Sequence, residues 1–129
     1  MINAKKLYAE MFSDERITSL IPEDSIMNSF PNEIENFPCI IFVDENQSDT
    51  EYNENMPGAS YCTLMVHIFS KKLSDYVTTA SVAVVIADVF NEKLWHCSQN
   101  KEVSDPDPDA EHRVMVFEKS IFNELNINS

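Results

Sequence analysis

Glycine is almost absent from this chain, which has a single glycine, Gly58, among its 129 residues. Phosphate-binding loops and dinucleotide-binding turns need several glycines, because their backbones turn sharply and approach the ligand closely. The sequence therefore argues against enzymes that handle nucleotides through such loops.

Basic residues are also scarce, with 9 Lys and Arg against 22 Asp and Glu, for a net charge of -13. Affinity for nucleic acid comes largely from basic contacts with phosphates. We therefore expect no direct nucleic-acid binding by this protein. A strongly negative surface favours solubility and repels DNA.

The chain has few cysteines and no long hydrophobic run. Its three cysteines, Cys39, Cys62 and Cys97, cannot all form disulfides with one another. Two of them lie in apolar runs, where a free cysteine behaves as a small hydrophobe, and this favours a reducing cytosol. No apolar segment approaches the roughly 20 residues that cross a bilayer, so we expect neither an export signal nor a membrane anchor.

Residue patterns that support metal binding or catalysis are missing. Zinc sites need Cys and His at characteristic spacings, and the chain has only the adjacent pair His96 and Cys97, with no C-x-x-C or H-x-x-x-H. The side chains of this adjacent pair would point to opposite faces of a strand, and nothing else in the sequence indicates a histidine close enough to a cysteine to activate it as a nucleophile. The sequence thus predicts no catalytic centre, no metal and no cofactor, and the chain is predicted not to be an enzyme.

An acidic repeat, "DPDPDAE", places Asp105, Asp107 and Asp109 at alternate positions, like the start of an EF-hand loop. That loop needs Gly at its sixth position and Glu at its twelfth, where this chain has Ala110 and Val116. We interpret the repeat as a solvated acidic loop.

The order of the predicted elements indicates one α+β domain over residues 1–129, with a frayed tail at 123–129. Helical spacing predicts an N-terminal helix over 3–12, and Ser13 is the expected N-cap of a short second helix that ends at Pro22. Strands are predicted over 25–30, 37–46, 60–72, 93–99 and 112–122, with a long helix over 73–90. The expected fold is a mostly antiparallel sheet of about four to five strands, with the N-terminal helix and the long helix packed on it.

Two consecutive elements carry more apolar surface than one sheet and one helix layer can cover. The strand in "SYCTLMVHIFSKK" is apolar on both faces. The long helix is apolar nearly all round, and Val82, Val85, Ile86 and Val89 are predicted on its far side, away from the face that docks on the sheet. Such a surplus indicates an interaction surface, although a second sheet face covered by the N-terminal helices, with a few exposed valines on the far side of the long helix, would also explain it. The residues predicted to form a subunit interface are Met65, His67, Phe69, Val82, Val85, Ile86 and Val89.

The chain resembles the tail-completion, or tail-to-head joining, proteins of long-tailed bacteriophages and prophages. The likeness rests on "LYAEMFSDERITSLI", on "FPCIIFV", on "VHIFSKKLSDYVTTASVAVVIADVF" and on the closing strand "HRVMVFEKSIF". It spans about residues 5–122 and consists of apolar spacing around a few polar positions, with no catalytic signature. The chain differs from many similar sequences in its low glycine content and its strong acidity.

The resemblance implies a structural virion protein that forms a ring, typically a hexamer, at the end of the tail tube that meets the head. Its partners would be further copies of itself, the tail tube protein and the head connector protein. It would be assembled in the host bacterial cytoplasm and reside in the virion tail. If the acidic loops line the hole of the ring, the charges of Asp105, Asp107 and Asp109 would keep passing DNA from sticking.

Two other functions fit the sequence. An acidic protein of this size can act as a DNA mimic that occupies the basic groove of a host protein, through electrostatic complementarity. The acids, however, gather in loops and at element ends instead of following one helix face. A head-side connector protein of similar construction is the other alternative.

Overall fold

The computed structural model of the chain describes residues 4–45, 59–71 and 77–122. It has an α+β fold, as the sequence predicts. The elements in chain order are α1 (Ala4–Phe12), α2 (Glu15–Thr18), a 3-10 turn (Glu23–Ser25), β1 (Ile26–Met27), β2 (Cys39–Asp44), β3 (Ala59–Lys71), α3 (Thr79–Glu92), β4 (His96–Val103) and β5 (Ala110–Phe122).

The strands form one five-stranded sheet in the order β1-β2-β3-β5-β4. Only β1 and β2 pair in parallel, while the other neighbours are antiparallel, so the prediction of a mostly antiparallel sheet is confirmed. The two central strands, β3 and β5, pair from Ala59 opposite Phe122 to Lys71 opposite Ala110. Residues 46–58, between β2 and β3, lie outside the described residues.

The main core lies between one face of the sheet and the helices. Alternate residues of β3, among them Leu64, Val66 and Ile68, are fully buried there, as period-two alternation requires. Aromatic rings fill the layer: Phe12 stacks on Phe42 with ring centroids 4.7 Å apart, and Phe90 stacks on Phe117 at 4.3 Å. Such pairs add to the stabilisation that comes from burial alone.

Helix boundaries differ from the predicted ones because capping side chains set them. Helix α3 begins at Thr79, and the Thr78 hydroxyl accepts a hydrogen bond from the Ser81 N–H as its N-cap. Helix α2 is capped by Asp14, not by Ser13, since the Asp14 carboxylate accepts from the Arg16 N–H. A side chain that satisfies a free N–H in the first turn fixes where a helix starts.

Strand β4 is displaced along the chain relative to the prediction. It was expected over 93–99, but it begins at His96 and continues to Val103. Trp95 just before it is buried and packs edge-on against Phe90, with centroids 5.7 Å apart. The polar residues after Gln99 are therefore edge-strand residues and not part of a connecting loop.

The other face of the sheet has a small core of its own. Cys39, Ile41 and Phe69 are buried there, and half-buried side chains of residues 27–43 pack against them, namely Met27, Ile34, Phe37 and Val43. The segment between β1 and β2 thus covers part of the second face within the same chain. This cover reduces the apolar surplus that the sequence predicts.

Candidate assembly surface

The predicted orientation of α3 is wrong. Val82, Ile86 and Val89, expected on the far side of the helix, are 0 to 2 % exposed and belong to the main core. The outward side instead carries Val84, which is 62 % exposed, and Asp88. The side of the helix that faces the sheet runs through 82, 86 and 89, so these residues are covered within the chain.

The predicted interface residues on β3 lie on the second face of the sheet. Phe69 is 3 % exposed and is buried in the small core of that face, while Met65 and His67 are half-buried. Val85 on α3 is also half-buried and packs against the main core. Of the seven predicted interface residues, only Met65, His67 and Val85 keep part of their side chains accessible.

A pair of histidines is the main polar feature of this second face. His67 Nδ1 lies 3.0 Å from His112 Nε2, and His112 Nδ1 lies 3.7 Å from an Asp105 carboxylate oxygen. Phe69 stacks on the His112 ring at 4.1 Å, and Phe30 meets the His67 ring at 4.8 Å in an edge-on geometry. The carboxylate favours a hydrogen on His112 Nδ1, so that His112 Nε2 accepts from the His67 Nδ1–H.

The histidine pair is held in its neutral form. Burial, together with the neighbouring His112, lowers the pKa of His67 to about 4. Burial also lowers the pKa of His112, although Asp105 acts in the opposite direction. Desolvation disfavours the charged imidazolium, and two adjacent imidazoliums would repel each other.

The chemistry available to this pair is limited. Among residues 4–45, 59–71 and 77–122, no three His, Cys, Asp or Glu side chains come close enough together to hold a metal ion. Burial raises the pKa of the Cys39 thiol to about 11 and also raises that of Cys62, so both thiols are poor nucleophiles. The His pair is best explained as a packed polar contact between β3 and β5.

The three aspartates of "DPDPDAE" lie in the connection between β4 and β5, where two of them, Asp105 and Asp107, stabilise the backbone of the turn. Asp105 and Asp107 each accept a hydrogen bond from a backbone N–H two residues later, at 2.9 Å. Asp107 also pairs with Lys71 at 3.0 Å, while Asp109 is exposed. Hydrogen bonds from the Asp109 N–H and from Lys71 lower the pKa of Asp107. That Asp105, Asp107 and Asp109 line the hole of a ring stays a prediction.

An apolar groove opens at the β1 edge of the sheet. It has a volume of about 610 Å³ and lies between α1, the end of β2 and the segment after β1. Its apolar lining consists of Ala9, Phe12, Ile26, Met27, Pro31 and Phe42, and Ser13, Glu23, Asn28 and Ser29 complete it. We call this feature the edge groove. It combines a broad apolar floor with a polar border, as protein-binding surfaces do.

Sequence reasoning did not predict the edge groove or the histidine pair. The groove depends on the parallel pairing of the two-residue strand β1 with β2, for which two residues provide no periodic signal. The His pair depends on register: β3 and β5 place Phe69 opposite His112 and His67 opposite Val114, so the two histidines are diagonal neighbours. An alignment of the two strand patterns with that register would have found it.

No family model matches this sequence, and no curated protein matches it. In the described part of the chain, no helix is long and apolar enough to span a bilayer.

Proposed function

We propose that this protein is a structural subunit that caps the phage tail tube and joins tail to head as a homo-oligomeric ring, most simply a hexamer. The proposal builds on the resemblance in apolar spacing and on the α+β fold of the chain. The observation that carries the proposal is the edge groove, because it is an apolar surface that the described chain leaves uncovered.

The edge groove replaces the far side of α3 as the main candidate for a subunit contact. Phe12 and Phe42 are 2 % and 6 % exposed, so they form a rigid floor, while Ala9 at the border is accessible. Rigid apolar floors bind partners without a large cost in side-chain entropy. In a ring the contact is heterologous, so this groove would meet a different surface on the next subunit.

The charge of the protein suits a ring through which DNA passes without binding. A net charge of -13 opposes adhesion to phosphates. The remaining proposed partners, the tail tube protein and the head connector protein, would meet the two flat sides of the ring. The proposed location is the virion tail after assembly in the bacterial cytoplasm.

A substitution at the border of the groove tests the proposed contact. Ala9→Arg places a long cation in the groove, and Glu10→Arg introduces the same side chain next to it on α1, at an exposed position that does not line the groove. Light scattering at high protein concentration should give a ring mass, about 89 kDa for six copies of the 14.8 kDa chain, for the wild type and for Glu10→Arg. Ala9→Arg should remain a folded monomer. Equal masses for all three proteins would contradict the role of the groove.

A further inference from the structure

The edge groove borders the outer edge of β2 at Phe42, which pairs with β3 on one side and has no strand paired with it on the other side among the described residues. Pairing with β1 ends where Met27 meets Ile41, whereas β2 continues to Asp44. Phe42, the first residue beyond that pairing, lines the groove. An extended peptide placed here would find both an open strand edge and an apolar floor, which is the arrangement used in β-strand addition.

A segment with the matching pattern follows β5. In residues 123–129, "NELNINS", Leu125 and Ile127 alternate with Glu124, Asn126 and Asn128. Alternation of apolar and polar residues is typical of a strand that buries one face only. These residues lie outside the described part of the chain.

We propose that the edge groove of one copy binds residues 123–129 of a second copy, with Leu125 and Ile127 directed into the apolar lining. This inference rests on the proposed ring, and it names the surface that meets the groove. A donor segment and an acceptor groove at different places on the same chain make a heterologous contact, which closes into a ring when the rotation between copies is suitable.

The distance between the end of β5 and the edge groove is too long for Leu125 and Ile127 to reach the groove of their own chain, so the groove that they enter belongs to a second copy. Phe122 lies opposite Ala59, whereas Phe42 lies opposite Val66, seven residues further along β3. Seven residues of strand and two strand spacings place Phe122 about 25 Å from Phe42. Leu125 and Ile127 follow Phe122 by three and five residues and reach only about 10 Å and 17 Å.

Peptide binding tests the groove directly. A fluorescent peptide of residues 121–129 is titrated with the full chain carrying Leu125→Ser and Ile127→Ser, so that the chain's own segment does not compete. Fluorescence anisotropy should show saturable binding, at least tenfold weaker when Ala9→Arg is added and changed less than twofold by Glu10→Arg. A peptide with both Ser substitutions should not bind. Absent binding, or binding insensitive to Ala9→Arg, would overturn the inference.

Assembly separates this inference from the proposed function. The full chain with Leu125→Ser and Ile127→Ser should lose the ring mass, while the control with Asn126→Ser and Asn128→Ser should keep it. Rings formed by both would leave the proposed function standing and overturn the tail-in-groove contact. Saturable, groove-dependent peptide binding without a ring for any variant would support the contact and contradict the ring.

Discussion

At the scale of single residues, the His67 and His112 pair shows how a polar contact is accommodated on an apolar sheet face. The two imidazoles satisfy one another at 3.0 Å, and Phe69 covers one of them. Asp105 is the carboxylate that faces the pair, at 3.7 Å from His112. The pair is therefore most stable when both rings are neutral, because burial disfavours a charge on either ring and two charged rings would repel each other.

The depressed pKa of His67 predicts that acid destabilises the fold. His67 takes up its proton near pH 6.5 when unfolded but near pH 4 in the fold, so the unfolded state binds more protons between these values. The stability that depends on a neutral His67 is fully present above about pH 6.5 and is lost as the pH falls toward 4. Because the ring is partly exposed, we expect this residue to account for about 1 to 2 kcal/mol of the loss.

Urea unfolding at pH 7 and pH 5 measures this loss. His67→Gln should show a smaller decrease in the free energy of unfolding between the two pH values than the wild type. An NMR titration should place the pKa of His67 well below that of the same histidine in the urea-unfolded chain. Equal pKa values in both states would contradict the account.

Tyr8 is a buried polar residue whose hydroxyl lacks a strong hydrogen-bond partner among the described residues, in contrast to the two histidines. Its side chain is fully buried, and its hydroxyl has no hydrogen-bond partner within the described residues; the nearby Cys62 thiol is only a weak acceptor. Burial raises the pKa of Tyr8 above its usual value. The hydroxyl thus incurs a desolvation cost that phenylalanine would avoid.

Tyr8→Phe should therefore leave the fold intact and increase its stability by about 1 kcal/mol. Thermal unfolding at pH 7 measures the change, and Tyr8→Leu serves as the control, because it removes the ring packing against Phe42 and Trp95. Tyr8→Leu should destabilise the protein. A large loss of stability in Tyr8→Phe would show that the hydroxyl has a strong partner.

At the scale of elements, helix α3 shows where sequence patterns are informative and where they are not. The apolar content of 73–90 predicts a helix near its observed position, Thr79–Glu92. It does not determine which side is buried, because apolar residues occur nearly all round and several 100° stripes fit equally well. The Thr78 cap and the contact of Thr79 with Glu111, whose carboxylate accepts from the Thr79 N–H at 2.9 Å, fix the rotation of the helix.

The corrected orientation of α3 leads to a clear contrast between two valines. Val89→Asp buries a carboxylate among apolar neighbours, so it should cost more than about 3 kcal/mol and unfold much of the protein. Val84→Asp lies on the outward side and should change stability by less than about 0.5 kcal/mol. Urea unfolding followed by circular dichroism checks both, and a reversed order would restore the orientation predicted from the sequence.

The strands of the sheet also differ in how well their positions can be predicted from the sequence. The strongly apolar strands β2, β3 and β5 could be predicted from their residues, because long runs of β-branched and aromatic residues between turn signals are specific to strands. The polar strand β4 was predicted only in part, and its irregular pairing between Cys97 and Gln99 has no sequence signature. Such polar, irregular strands are typical of sheet edges that resist pairing with other chains.

At the scale of the whole molecule, the two edges of the sheet differ. The β4 edge is polar and irregular, whereas the β1 edge is short and leaves an apolar groove beside β2. An assembly that uses strand addition would therefore use the β1 edge. The apolar surplus predicted from the sequence is mostly covered within the chain. Among the described residues, the large hydrophobic side chains that stay exposed are Phe30, Val84 and Leu94, which lie outside the groove lining.

The acidic connection between β4 and β5 offers a test of the proposed passage for DNA. Because Asp105 and Asp107 stabilise the turn, the exposed Asp109 is the suitable position for a charge reversal. Virions carrying Asp109→Lys should eject DNA more slowly, by a fewfold, if this loop faces the hole. Asp88→Lys, on the outward side of α3, is the matched control. Equal ejection rates for the two variants and the wild type would place the loop away from the DNA.

Imaging tests whether the protein forms a ring at the end of the tail tube. Purified tail tubes are incubated with the full chain and examined by negative-stain electron microscopy, with Ala9→Arg as the groove variant. We expect a ring of density with a central hole at one end of each tube for the wild type, and bare tube ends for Ala9→Arg. Bare ends with the wild-type protein, together with a strictly monomeric mass and tight binding to a basic host protein, would contradict the proposed ring.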